Sequence, residues 1–129
     1  MIIQGTGIGL DNYVQAEREE VMIEFVHNHR LYNPLKDTHT SSQVSRGISY
    51  GCVKLHLTNG SVFASAPDQL IKTPESFSKV IDIHSGDTLM TLQGLQTVIL
   101  KQIKPIVLTV CSTRQKGQVF AANSVICTS

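Results

Sequence analysis

The chain has 129 residues and a formal net charge of +1, with hydrophobic residues at 41% and charged residues at 16%. That length and composition fit one globular domain, residues 1–129, with a core of its own, and exclude a disordered chain. The balanced charge and the lack of any apolar run of membrane-spanning length give no case for nucleic acid or a membrane as partner, and residues 1–10 lack the pattern of a signal peptide.

Gly5-Thr6-Gly7-Ile8-Gly9 opens the chain as a flexible first strand. It is not a phosphate loop, because a dinucleotide fingerprint needs a strand before it and a helix after it, and no Lys-Ser/Thr follows. Residues 15–24 hold good helix formers, but Val21-Met22-Ile23-Glu24-Phe25-Val26 also suits a strand, and strand is the reading taken. Residues 27–47 carry few apolar side chains and no period, which predicts a long surface loop. Val53, Leu55 and Leu57 alternate with Lys54 and His56, the period of a half-buried strand. Asn59-Gly60 separates it from Val62-Phe63-Ala64, which predicts a hairpin with a type I′ turn.

Thr73-Pro74-Glu75-Ser76 places an N-cap residue before Pro, so a short helical turn is expected near residues 73–79. Residues 80–83 read as a strand or short turn, and residues 88–92, 97–100, 106–111 and 119–127 as further β-branched strands. Pro105 marks a strand start or an edge, and residues 114–117 form a polar turn. Many short strands and little helix predict an all-β domain.

Cys52, Cys111 and Cys127 are odd in number and widely spaced, which argues against a disulfide framework or a structural zinc site. Three buried thiols in a reducing compartment, the cytoplasm, are the simpler reading. His27, His29, Asp37 and His39 are candidate ligands for a divalent metal, in a metal-dependent hydrolase or nuclease; the plainer reading is a polar loop with partly exposed imidazoles. His56 and His84 read as surface residues, and Glu17, Glu19, Glu20 and Glu24 as a solvated acidic face. Tyr13, Tyr32 and Tyr50 are candidate interface anchors.

Four pieces in order carry a resemblance. They are Gly5-Thr6 with Ile8 and Leu10, then residues 57–64 followed by Ala66-Pro67-Asp68-Gln69, then Ile83-His84-Ser85-Gly86-Asp87-Thr88-Leu89, and last residues 120–127. Together they resemble the Hint fold of hedgehog autoprocessing domains and inteins, a horseshoe of short antiparallel strands. Residues 21–50 carry little of the likeness. The resemblance implies a family that breaks a peptide bond at its own N-terminus. A first-position Cys or Ser attacks the preceding carbonyl, a Thr-x-x-His motif polarises the bond and moves protons, a later Asp assists, and in inteins a terminal His-Asn pair completes cleavage.

The corresponding positions here are Met1 for the nucleophile, Ala66 and Gln69 for the Thr and His, Val107 for the Asp, and Thr128 and Ser129 for the closing pair. A thioether cannot form an ester or thioester, and a carboxamide cannot exchange a proton near neutral pH. The expectation is therefore a Hint-like protein without autoprocessing and without a cofactor, acting as a binding or structural module. Its expected partner is another protein, docked on the 27–47 loop. Two alternatives stay open: the metal-dependent hydrolase, and residual self-cleavage through Cys127, Ser129 or another replacement.

Overall fold

The computed structural model describes residues 2–129; the side chains of Ile2, Ile3, His27 and Asn28 are outside that description. In chain order the strands are β1 (Ile2–Ile3), β2 (Ile8–Gly9), β3 (Tyr13–Gln15), β4 (Glu20–Met22), β5 (Arg30–Asn33), β6 (Thr38–Ser41) and β7 (Val44–Leu57). They continue as β8 (Val62–Ser65), β9 (Leu70–Lys72), β10 (Phe77–Lys79), β11 (Thr88–Thr91), β12 (Gly94–Thr113), β13 (Val119–Ala122) and β14 (Val125–Thr128). Two 3-10 turns, Ile23–Asn28 and Val80–Asp82, are the helical elements among the described residues. None is long and apolar enough to cross a membrane.

The all-β expectation holds, with antiparallel pairing everywhere except β1 against β7. Two strands are long rather than short. β7 runs for 14 residues and β12 for 20, and they pair antiparallel from Val44 opposite Thr113 to Leu57 opposite Val98. Two β-bulges, at Val98/Leu100 and Lys104/Val107, bend this ribbon. The second bulge takes Pro105 into the strand interior, where its missing N–H disturbs the ladder least. The alternation of Val53, Leu55 and Leu57 turns these three inward, while Lys54 and His56 stay half-buried. They join Ile8, Phe63, Ile71, Leu89 and Phe120 in one core.

Turn chemistry departs from expectation in an instructive way. At 58–60 only Gly60 has positive φ, at 86°, and the Gly60 N–H donates to the Leu57 carbonyl at 3.0 Å. That is a three-residue loop closed by a left-handed glycine, not a type I′ turn. The two-residue turn with both central residues left-handed lies instead at Asn123 (φ 46°) and Ser124 (φ 69°). It splits residues 119–127, read as one strand, into the β13–β14 hairpin.

Three further expectations are corrected. Residues 73–79 are not helical. The Thr73 hydroxyl accepts from the Ser76 N–H at 3.1 Å and donates to the Ser76 carbonyl, closing a turn that sets β10 against β9. Thr-Pro begins a β-turn as readily as a helix, and pairing of Phe77 with Lys72 decides between them. The 27–47 segment is not a loop either. It forms the β5–β6 hairpin, with Leu31 fully buried and Asn33 Oδ1 accepting from Leu35 and Lys36, and then enters β7. Its strands are short and polar, so period two does not show. Residues 21–26 divide between β4 and the first 3-10 turn, which buries Ile23 and Val26 at three-residue spacing.

Phe63 is fully buried in the core. Phe63→Ala is expected to lower the unfolding free energy by about 3–5 kcal/mol through lost burial and a residual cavity, read from the urea midpoint.

Candidate functional site

The site is built where the opening segment meets the closing strand. Residues 5–7 run beside residues 66–68. Asp68 N–H donates to the Gly5 carbonyl and Ala66 N–H to the Gly7 carbonyl, each at 2.9 Å. The approach needs glycine. Gly7 has φ 121°, and a Cβ there would lie 3.0 Å from Val110 Cβ and 3.1 Å from the Cys111 carbonyl oxygen.

Gln69, only 3% exposed, fixes this junction. Its Oε1 accepts from the Gly7 N–H at 2.9 Å, and its Nε2 donates to the Thr128 carbonyl at 2.9 Å and the Leu70 carbonyl at 3.1 Å. One carboxamide thus joins the first and last segments of the fold, which needs a donor and an acceptor at once. β14 lies beside β9 here, with Thr128 opposite Leu70.

A cleft of about 470 Å³ opens over the junction, lined by Thr6, Gln69, Ser112, Thr113, Thr128 and Ser129, with Lys79, Arg114 and Lys116 at its margin. Three of the hydroxyls are already engaged: Thr128 donates to the Gln118 carbonyl, and Thr113 is hydrogen-bonded to Ser129. Lys79 faces Asp68 at 3.8 Å. Among the described residues the lining contains neither imidazole nor thiol. Such a surface supplies hydrogen bonds and positive charge.

The positions singled out in the sequence separate into groups. Gln69, Thr128 and Ser129 meet at this cleft, and Ala66 is buried behind it. Val107 stands apart, exposed and opposite Tyr50 on the β7–β12 ribbon. Met1 lies outside the described residues. Ser112, Thr113, Arg114 and Lys116 were not foreseen. Ser112 and Thr113 end β12 and Arg114 and Lys116 follow it, and nothing local in the sequence ties them to residues 69 or 129.

The metal candidates have other occupations. Tyr32 donates to Asp37 Oδ1 at 3.0 Å, and that bond with the carboxylate holds the phenol above its usual range. His39 packs against the Tyr32 ring at 5.3 Å, and His29 caps the first 3-10 turn with its backbone N–H on the Val26 carbonyl. The His27 side chain lies outside the described residues. Among the described residues no three His, Cys, Asp or Glu side chains converge to hold a metal ion.

All three cysteines are free and buried. Burial pushes Cys127 far above an ordinary thiol, and Cys52 and Cys111 upward for the same reason. Cys127 has no cation beside it, and its Sγ reaches the Val125 carbonyl at 3.4 Å. A thiolate nucleophile at this position is disfavoured.

No protein-family model and no curated protein sequence matches the chain. Solved structures do. The chain is similar to the gp41-1 intein with a TM-score of 0.79 at 14% identity, covering 98% of this chain and 100% of that one. It is equally similar to a bacterial intein-like domain from Clostridium thermocellum, with a TM-score of 0.79 at 14% identity over 98% and 99%. The MchDnaB-1 intein follows with a TM-score of 0.78 at 11% identity, over 95% and 99%. The fold is that of the inteins, the Hint fold.

Two outcomes test this description. Gln69→Ala leaves the Gly7 N–H and Thr128 carbonyl without partners and is expected to lower stability by about 2–4 kcal/mol in denaturant titration. Because the thiols are held protonated in the fold, stability is retained below the unfolded-state thiol pKa of about 8.5 and lost as pH rises through it. The alkaline loss is expected to be shallower in Cys127→Ala, measured by urea unfolding across that range.

Proposed function

We propose that this chain is a Hint-fold protein without autoprocessing that works by binding another protein. The carrying observation is Gln69. It occupies the position at which the resemblance implies a proton-transferring His, and its amide is committed on both sides to backbone partners. A neutral imidazole also offers one donor and one acceptor, so Gln keeps the architectural bonds while giving up the proton.

Other replacements support the same reading. Ala66 brings no hydroxyl to polarise a carbonyl, and Met1 brings no nucleophile. Val107 lies outside the cleft, opposite Tyr50, and so counts neither for nor against it. Thr128 and Ser129 stand where inteins have His-Asn, and neither can cyclise to a succinimide. The fold is that of the inteins, while positions 66, 69, 128 and 129 carry none of the side chains that the resemblance implies there. A charge of +1 favours neither nucleic acid nor an anionic membrane, and three free buried thiols suit the cytoplasm.

The test is intact mass. The chain is expressed with a peptide fused before Met1 and another after Ser129, then incubated with and without thiol. An unchanged full-length mass is expected, also for Met1→Cys, because no base or acid accompanies the new thiol. Cleavage of the unsubstituted fusion overturns the reading.

A further inference from the structure

The β7–β12 ribbon has an open edge. β7 covers one edge of β12 from Val98 to Thr113. The other edge is covered by β11 at residues 94–97 and by β2 at Val110 and Cys111. Between them, over residues 99–109, no described strand pairs with it. The faces of this stretch are also bare: Ile99 is 61% exposed, Ile103 62%, Val107 58% and Tyr50, across the ribbon, 65%. An apolar groove of about 630 Å³ runs between Tyr50 and Pro67 on one side and Ile103, Pro105, Ile106 and Val107 on the other.

A solvent-guarded edge carries charge, Pro and bulges. Lys101, Lys104, Pro105 and the two bulges fit that, but four large apolar side chains about three-fifths exposed do not. Such a cluster marks an interaction surface. The charge of the ribbon identifies the occupant. Residues 95–111 contain no acidic side chain, and Lys54 and Lys104 make no ion pair among the described residues. Lys54 lies opposite Gln102 and Lys104 opposite Cys52, two residues apart in register along the ribbon. A second copy of the chain fits poorly. Antiparallel self-pairing centred between Gln102 and Ile103 sets Lys101 of each copy opposite Lys104 of the other, which is repulsive.

We propose that the β12 edge takes up an extended acidic and apolar segment of a partner protein as an added strand. Its apolar side chains enter the groove beside Pro105, and its carboxylates meet Lys54 and Lys104. Backbone bonds to the free amides of β12 supply affinity, and Pro105, lacking a donor, leaves a gap in that ladder. This assignment deepens the binding-module reading, rests on it, and moves the docking surface from the β5–β6 hairpin to the ribbon.

The experiment pans phage-displayed strand-length peptides against the full chain. Selected peptides are expected to alternate acidic and β-branched residues. Their binding should weaken by about tenfold or more in Ile103→Asp and in Lys104→Glu, each with an unchanged unfolding midpoint. On the unsubstituted chain, the bound peptide should slow hydrogen exchange at amides within residues 99–109. Selection of basic peptides, indifference to both substitutions, or protection confined to the β5–β6 hairpin overturns the assignment. So does a concentration-dependent dimer that Ile103→Asp abolishes, which gives the edge to a second copy. A chain that binds such peptides yet cleaves its fusions overturns the autoprocessing-free reading alone. A chain that stays intact and selects nothing overturns the ribbon alone.

Discussion

The Gln69 carboxamide holds the opening segment and the closing strand in one place, and the rest of the site follows from that junction. Gly7 is 62 positions from Gln69 in sequence, and Thr128 is 59 positions beyond it. Bonds that close such long segments cost chain entropy, and they persist here because Gly7 is buried and the Gln69 side chain is almost wholly enclosed, so an unmade bond would leave its amide with little access to water. The glycine at position 7 is the necessary complement. Any side chain there would push the opening segment off β12 and out of reach of the amide.

Holding such a junction together and moving a proton across it are separate demands on a side chain. Proton transfer asks for a group that titrates near the working pH, whereas holding two strands together asks only for a donor and an acceptor. Gln69 satisfies the second demand and drops the first. The hydroxyls of Thr113, Thr128 and Ser129 behave alike: each bonds a neighbour in the fold, as a structural side chain does. The floor of the cleft is therefore held by its own hydrogen bonds, and its charged margin is cationic apart from Asp68, which faces Lys79.

Away from the cleft, β7 and β12 carry the largest share of the long-range pairing and leave one edge uncovered. The same two bulges that bend the ribbon place Val107 and Ile106 outward beside Pro105. Interior packing is thus supplied by the alternating residues of β7, while the middle of β12 is free to serve as a surface. The two duties are separated between the two strands of one ribbon.

Residue identities and local period were enough to locate the half-buried strand at Val53, Leu55 and Leu57, and the breaks at Asn59-Gly60 and at residues 114–117. Each depends on chemistry or spacing within a few residues. What lay beyond reach depends on partners far away. Thr73-Pro74 became a hairpin turn because β10 found β9, the polar 27–47 segment became strands because Leu31 found the core, and the left-handed pair fell at Asn123-Ser124 because β13 and β14 had to meet in register. The sequence alone determined which groups are present and which strands can form. Tertiary structure alone decided which of them share a cleft, and left Val107 outside it, because strand pairing over a hundred residues answers to the packing of the whole sheet rather than to any local signal.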